Sequence, residues 1–133
     1  PSIGYPISMG PLVGQKREAV EFCLKAHQFT LQHLKGGIVS ASVAQKFYDF
    51  YVQNGYKDSY TYGPCHGLGM MEVEAPWMET SSDYILQPNM TFQVDTFVSM
   101  PTFGLRFEKG IVITENGFES LCDDMEHIVE IDV

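Results

Sequence analysis

Met90-Thr91-Phe92-Gln93-Val94-Asp95-Thr96-Phe97-Val98-Ser99 and, beyond Pro101-Thr102, Phe103-Gly104-Leu105-Arg106-Phe107-Glu108 decide the fold. Met90, Phe92, Val94 and Val98 alternate with Thr91, Gln93, Asp95 and Ser99, the period of a strand with one apolar and one polar face. Phe103, Leu105 and Phe107 alternate with Gly104, Arg106 and Glu108 in the same way. A hairpin centred on Pro101-Thr102 sets position 95 across from 108 and position 97 across from 106. Asp95, Arg106 and Glu108 then share one polar face. Pro101 does not suit a primed two-residue turn, so a longer loop with the same register is expected. Ile111-Val112-Ile113 reads as a third, more buried strand. Glu115-Asn116-Gly117 turns it back into Phe118-Glu119-Ser120-Leu121.

Upstream, Gly63-Pro64-Cys65-His66-Gly67-Leu68-Gly69 reads as a loop that presents His66, with Met70 to Glu74 as a strand after it. Ala75 to Pro88, which contains the single Trp77, reads as a surface loop. Gly63, Gly67 and Gly69 would let backbone and substrate come close. From Tyr56 the periodicity is two, leading through Tyr60 and Tyr62 into that loop. Before Tyr56 it is helical. Val20, Leu24, His27, Leu31 and Leu34 step by four and three within Gln15 to Lys35, and Gly36-Gly37 stops the run. His27 lies on the apolar stripe, which predicts a satisfied core histidine rather than a ligand. Val43, Phe47 and Phe50 mark a second helix, with Ser40 as its expected N-cap and Asn54-Gly55 as its end. Ile3 to Met9 suits a short strand, confined to an edge by Pro6. The expected fold class is α+β: two long helices on a curved, mostly antiparallel sheet.

Composition bounds the function. The chain has 133 residues, 44% of them hydrophobic, which suits one domain. Its net charge of −9 argues against nucleic acid or an anionic membrane as partner, because both need a cationic face. No apolar run is long enough to span a bilayer. Three cysteines without a CxxC pair fit reduced thiols in a cytoplasmic setting. The acidic residues of Cys122–Glu126 and Glu130-Ile131-Asp132 suggest a solvated, partly frayed terminus.

Two carboxylates facing each other across a hairpin need a counter-charge. Arg106 is one and a divalent cation is another. With His66 added, the donor set is mixed N/O, which suits Mn, Co, Fe or Zn better than Ca or Mg. From spacing alone both outcomes stay open, and a solvated salt-bridge face is the more common one.

The motifs add to this. His66-Gly67-Leu68-Gly69, Glu74-Ala75-Pro76, Leu86-Gln87-Pro88-Asn89-Met90-Thr91-Phe92, Gly104-Leu105-Arg106-Phe107-Glu108 and Val112-Ile113-Thr114-Glu115-Asn116-Gly117 together resemble the C-terminal half of the pita-bread metallopeptidases. That clan includes aminopeptidase P, prolidase, methionine aminopeptidase and creatinase. The resemblance implies that residues 1–133 are one domain, the C-terminal part of a larger catalytic domain. It implies a metal-dependent hydrolase of the Xaa-Pro peptidase type, with two divalent ions in the intact site. His66, Asp95 and Glu108 would be ligands. Asp95 would also act as general base, and Arg106 would support Glu108 as the second candidate catalytic residue.

The departures from the family pattern are specific. The family's first two ligands are aspartates upstream of the first helix, and no acid precedes Glu18 here. The second would align near Pro1 or Ser2. Val73 and Tyr62 stand where relatives carry accessory histidines, and Asp95 replaces a glutamate. The chain alone is therefore expected to be metal-poor and weakly active or inactive. It would be a truncated enzyme, a divergent non-peptidase, or a non-catalytic homologue that binds a peptide or small molecule in the same cleft. An unpaired sheet edge would be covered by a second copy, as a homo-oligomer, or by a missing N-terminal half.

Overall fold

A computed structural model describes residues 2–122 and 126–133. Among the described residues, eight strands and two α-helices follow in the order β1 (Ile3–Gly4), β2 (Ile7–Met9), α1 (Gly14–Gln32), α2 (Ser40–Gln53), β3 (Cys65–Gly67), β4 (Glu74–Met78), β5 (Thr91–Ser99), β6 (Gly104–Ile113), β7 (Phe118–Ser120) and β8 (Val129–Ile131). The main sheet runs β1-β6-β5-β3-β4, with β7 also on β6, and every pairing in it is antiparallel. A separate parallel pair joins β2 to β8. This is the expected α+β arrangement.

The central hairpin has the register read from the sequence. Asp95 pairs with Glu108 and Phe97 with Arg106. The four-residue connection Met100–Phe103 closes through the Met100 N–H donating to the Phe103 carbonyl at 2.8 Å. Ile111 to Ile113 is not a separate strand. It continues β6, because Lys109 and Gly110 keep pairing with β5 rather than turning.

Side-chain alternation splits the sheet into two faces. Phe92, Val94, Val98, Phe107, Ile111 and Ile113 are buried toward the helices. Leu31, Leu34, Val43 and Ala44 join one cluster there, and Ala19, Val20, Phe22, Cys23, Ala26, Phe47 and Tyr51 the other. Gln93, Asp95, Arg106 and Glu108 stand on the opposite face. His27 is a core histidine, 1% exposed, with Nδ1 3.1 Å from Thr96 Oγ1. Burial pushes its imidazole down to about 3, with the Lys109 charge as a second cause.

Several local expectations are corrected. Helix α1 ends at Gln32, before Lys35, and the Gly36 and Gly37 N–H groups instead donate to the Thr114 and Leu86 carbonyls. Ser40 is not an N-cap. It is the first helical residue of α2, and its hydroxyl donates to the Ser82 carbonyl. Lys57–Ser59 forms a 3-10 turn. The strand expected at Met70 to Glu74 lies later, at Glu74–Met78, and takes in part of the expected surface loop. His66 sits on strand β3, not in a loop. Ile3 to Met9 is two strands in two sheets, divided around Pro6. The tail is not frayed over residues 126–133. Glu130 takes a bidentate ion pair from Arg17 at 2.7 and 2.8 Å, and Lys109 pairs with Glu126. Positions 123–125 of the expected acidic run lie outside the described residues.

Candidate metal centre

Three strands bring the donors together. β3 is held between β4 and β5, pairing Cys65 with Val94 and His66 with Gln93. That places His66 beside the β5–β6 hairpin carrying Asp95 and Glu108. One donor atom from each of His66, Asp95 and Glu108 lies within 4.8 Å of the others. His66 and Asp95 are buried, each 7% exposed.

Glycines allow β3 to sit this close to the β4 backbone. A Cβ on Gly63 would run into the Met78 carbonyl, and one on Gly67 into the Ala75 carbonyl. The two glycines let the His66 strand press onto β4.

Each donor is oriented by a neighbour. The His66 Nδ1 lies 3.0 Å from the Gly67 carbonyl, which can only accept, so in the neutral imidazole Nδ1 carries the proton and Nε2 the lone pair. Tyr62 donates its hydroxyl to Asp95 Oδ2 at 2.9 Å, with its ring stacked on Phe97. Arg106 Nε is 3.7 Å from Asp95 Oδ1, and Nη1 is 3.7 Å from Glu108 Oε2. The Arg106 guanidinium also lies 5.6 Å from the Phe97 ring centre. Burial, followed by the Asp95 charge, raises the Glu108 carboxyl above its ordinary range, against the pull of Arg106. Burial and then Asp95 raise the Tyr62 phenol, so it remains a donor.

Asp95 Oδ1 is buried and has no hydrogen-bond partner. Its 3.7 Å separation from Arg106 is an ion-pair distance, too long for a hydrogen bond. A buried carboxylate oxygen is seldom left this way. With an imidazole nitrogen free and a second carboxylate in reach, the residues present fit a divalent ion bound by nitrogen and oxygen.

The donors open into a cleft of about 450 Å³, lined by Tyr62, Val73, Trp77 and Arg106 together with Glu72 and Glu79. Glu72, Glu79 and Gln93 were not among the candidate residues of the sequence. Ser2 Oγ donates to Glu72 Oε1 at 2.9 Å and approaches Glu108 Oε1 at 3.3 Å, while Gln93 Nε2 donates to the Ser2 carbonyl at 2.7 Å. The Ser2 position had a signal in the expected alignment of the second aspartate; Pro1, the other candidate, is outside the described residues. Glu72 and Glu79 carry no periodic signal. Cys65 beside His66 is a buried core residue.

The architecture is that of the pita-bread proteins. The X-Pro aminopeptidase from Thermotoga maritima superposes with a TM-score of 0.90 at 25% identity, covering 97% of this chain and 37% of that one. The dipeptidase PepE from Mycobacterium ulcerans shares the fold, with a TM-score of 0.91 at 20% identity over 98% of this chain and 36% of its own. The uncharacterized peptidase YqhT of Bacillus subtilis (strain 168) is 29% identical over 124 residues, 92% of this chain and 35% of its own length. A model of metallopeptidase family M24 matches residues 5–115, and the chain belongs to that family. It spans about a third of the length of the curated relatives it matches. Among the described residues no helix is long and apolar enough to cross a membrane.

Proposed function

We propose that this chain carries part of the active site of a metal-dependent hydrolase acting on Xaa-Pro peptides, in the cytoplasm. The observation that carries the reading is the buried Asp95 Oδ1 without a hydrogen bond, beside His66 and Glu108. His66, Asp95 and Glu108 would hold Mn, Co, Fe or Zn. When bound, the ion would supply Lewis-acid polarisation of the scissile carbonyl and activation of water. The chain's own residues would do the rest. Asp95 would take the proton of the attacking water at Oδ1, while Tyr62 fixes Oδ2. Arg106 would hold both carboxylates in place. Trp77 and Val73, each about half exposed, would give the cleft an apolar wall for the substrate's side chains. The three free cysteines suit a reducing compartment.

Residues 1–133 would form the C-terminal part of a larger catalytic domain, completed by further chain or by a second copy along the β4 edge. Exposed Met70, Met71, Val73 and Trp77 cluster on and just before β4.

The test is turnover of Xaa-Pro peptides with each metal. Slow, chelator-sensitive hydrolysis that falls about a hundredfold or more in Glu108→Ala is expected. Hydrolysis indifferent to chelator and to that substitution would overturn the reading. One observation favours a second reading, a homologue that binds a peptide or small molecule without cleaving it. Apolar Val73 and a Tyr62 already committed to Asp95 line the cleft where relatives are expected to carry imidazoles. Peptide binding with metal bound and no turnover would support it.

A further inference from the structure

We propose that Trp77 and Glu79 form a subsite for a cationic side chain, so that the peptide taken by the cleft carries Lys or Arg before its proline. The inference rests on the reading of the cleft as a site for Xaa-Pro peptides. Met78 is buried in the core, so strand alternation turns its two neighbours, Trp77 and Glu79, to the opposite face, where both line the cleft. The Trp77 ring is half exposed and lies 6.1 Å from the His66 ring. Indole is the best of the aromatic faces for an ammonium or a guanidinium. Asp95 lines the same cleft, 7% exposed and with Oδ1 unpartnered, which is an independent mark of a ligand site.

Both subsite residues are held in place. The Ser82 hydroxyl donates to the Trp77 carbonyl at 2.8 Å and accepts from the Glu79 N–H at 3.0 Å. The Ser82 N–H donates to the Glu79 carbonyl at 2.9 Å. The Glu79 carboxylate lies over Gly63, whose N–H donates to Oε1 at 3.4 Å. Any side chain at position 63 would crowd it. That one long hydrogen bond leaves the carboxylate available to a cation. The other charges of the lining are engaged: Glu72 accepts from the Ser2 hydroxyl, and Arg106 faces Asp95 and Glu108. Gly63 precedes His66 by three residues, at most about 10 Å of chain. A residue whose carbonyl stands at His66 and Asp95 therefore reaches Glu79 with a lysine or arginine side chain. Its methylene stem lies along Trp77 and its charged head meets the carboxylate.

Trp77 is the chain's single tryptophan, so its fluorescence reports on the subsite itself. The experiment is titration of the chain, metal-free and with Zn, with N-acetyl-Lys-Pro-Gly and its norleucine counterpart, and with the same pair carrying a free N-terminus. The lysine peptide is expected to change the Trp77 emission and to bind about tenfold more tightly than the norleucine peptide at low salt. The preference should weaken as salt is added. Glu79→Gln, which keeps the shape, should cut the preference to about twofold, whereas Glu72→Gln should leave it in place. Equal affinities in the parent, binding of neither peptide, or a preference that survives Glu79→Gln would overturn the inference. A gain from the free N-terminus that is blind to the side chain would overturn it too, by giving the charge to the α-ammonium. Binding is read without turnover. A lysine preference in a chain that hydrolyses neither peptide would therefore leave the subsite standing and overturn the hydrolase reading.

Discussion

Asp95 receives a phenol on one oxygen and an ion pair on the other, and it is nearly buried. Tyr62 and Arg106 each hold one of its two oxygens. Tyr62 is the one that acts by a single hydrogen bond. In Tyr62→Phe the ring can stay stacked on Phe97 and only the hydroxyl is lost. Metal affinity is predicted to fall about tenfold to a hundredfold, the usual cost of removing a group that orients a ligand. Thermal stability of the metal-free chain should change little. Unchanged affinity in a titration with Co(II) would show that the Tyr62 hydroxyl does not position Asp95.

At the level of elements, helix α1 meets the sheet through a polar contact inside an apolar seam. His27 faces Thr96 of β5 and shares its surroundings with Lys109 and Glu126. The folded protein keeps this imidazole neutral down to about pH 3, whereas in the unfolded chain it titrates near its ordinary value of about 6.5. Between those values the unfolded state binds the extra proton. Its contribution to stability is therefore present above about pH 6.5 and is lost as the pH falls toward 3. Urea unfolding should lose roughly 1–3 kcal/mol more between pH 6.5 and pH 4 in the parent chain than in His27→Gln. Equal losses would contradict the assignment.

The same scale shows what the sequence made legible. The β5–β6 register could be read because two alternating runs flank a short connection, and both faces obey period two. Helix α1 showed through its stripe. The β3–β4 region was misplaced because its pairing depends on glycines pressed against a neighbouring backbone, a contact between strands rather than a local pattern. The same limit hid Glu72, which meets Ser2 from a distant point in the chain. The Arg17–Glu130 contact that ties the tail to α1 is likewise invisible to any window along the sequence.

Considered whole, the molecule places its site at one face of a sheet whose backing is complete and whose edge is not. The helices and both core clusters close the far face. On the near side the cleft is flanked by exposed Met70, Met71, Val73 and Trp77 beside strand β4. An exposed strand edge with apolar neighbours favours pairing with another chain. Light scattering of the purified chain is predicted to give a mass above that of one copy, and a monodisperse monomer would contradict the edge argument.

The proposed chemistry requires the His66, Asp95 and Glu108 cluster to bind metal. Elemental analysis after incubation with Mn, Co, Fe or Zn and desalting tests this most directly. The predicted result is stoichiometric retained metal, lost in both His66→Ala and Glu108→Ala while each variant stays folded by circular dichroism. A parent chain that retains no ion, or variants that retain it as well as the parent does, would contradict the account.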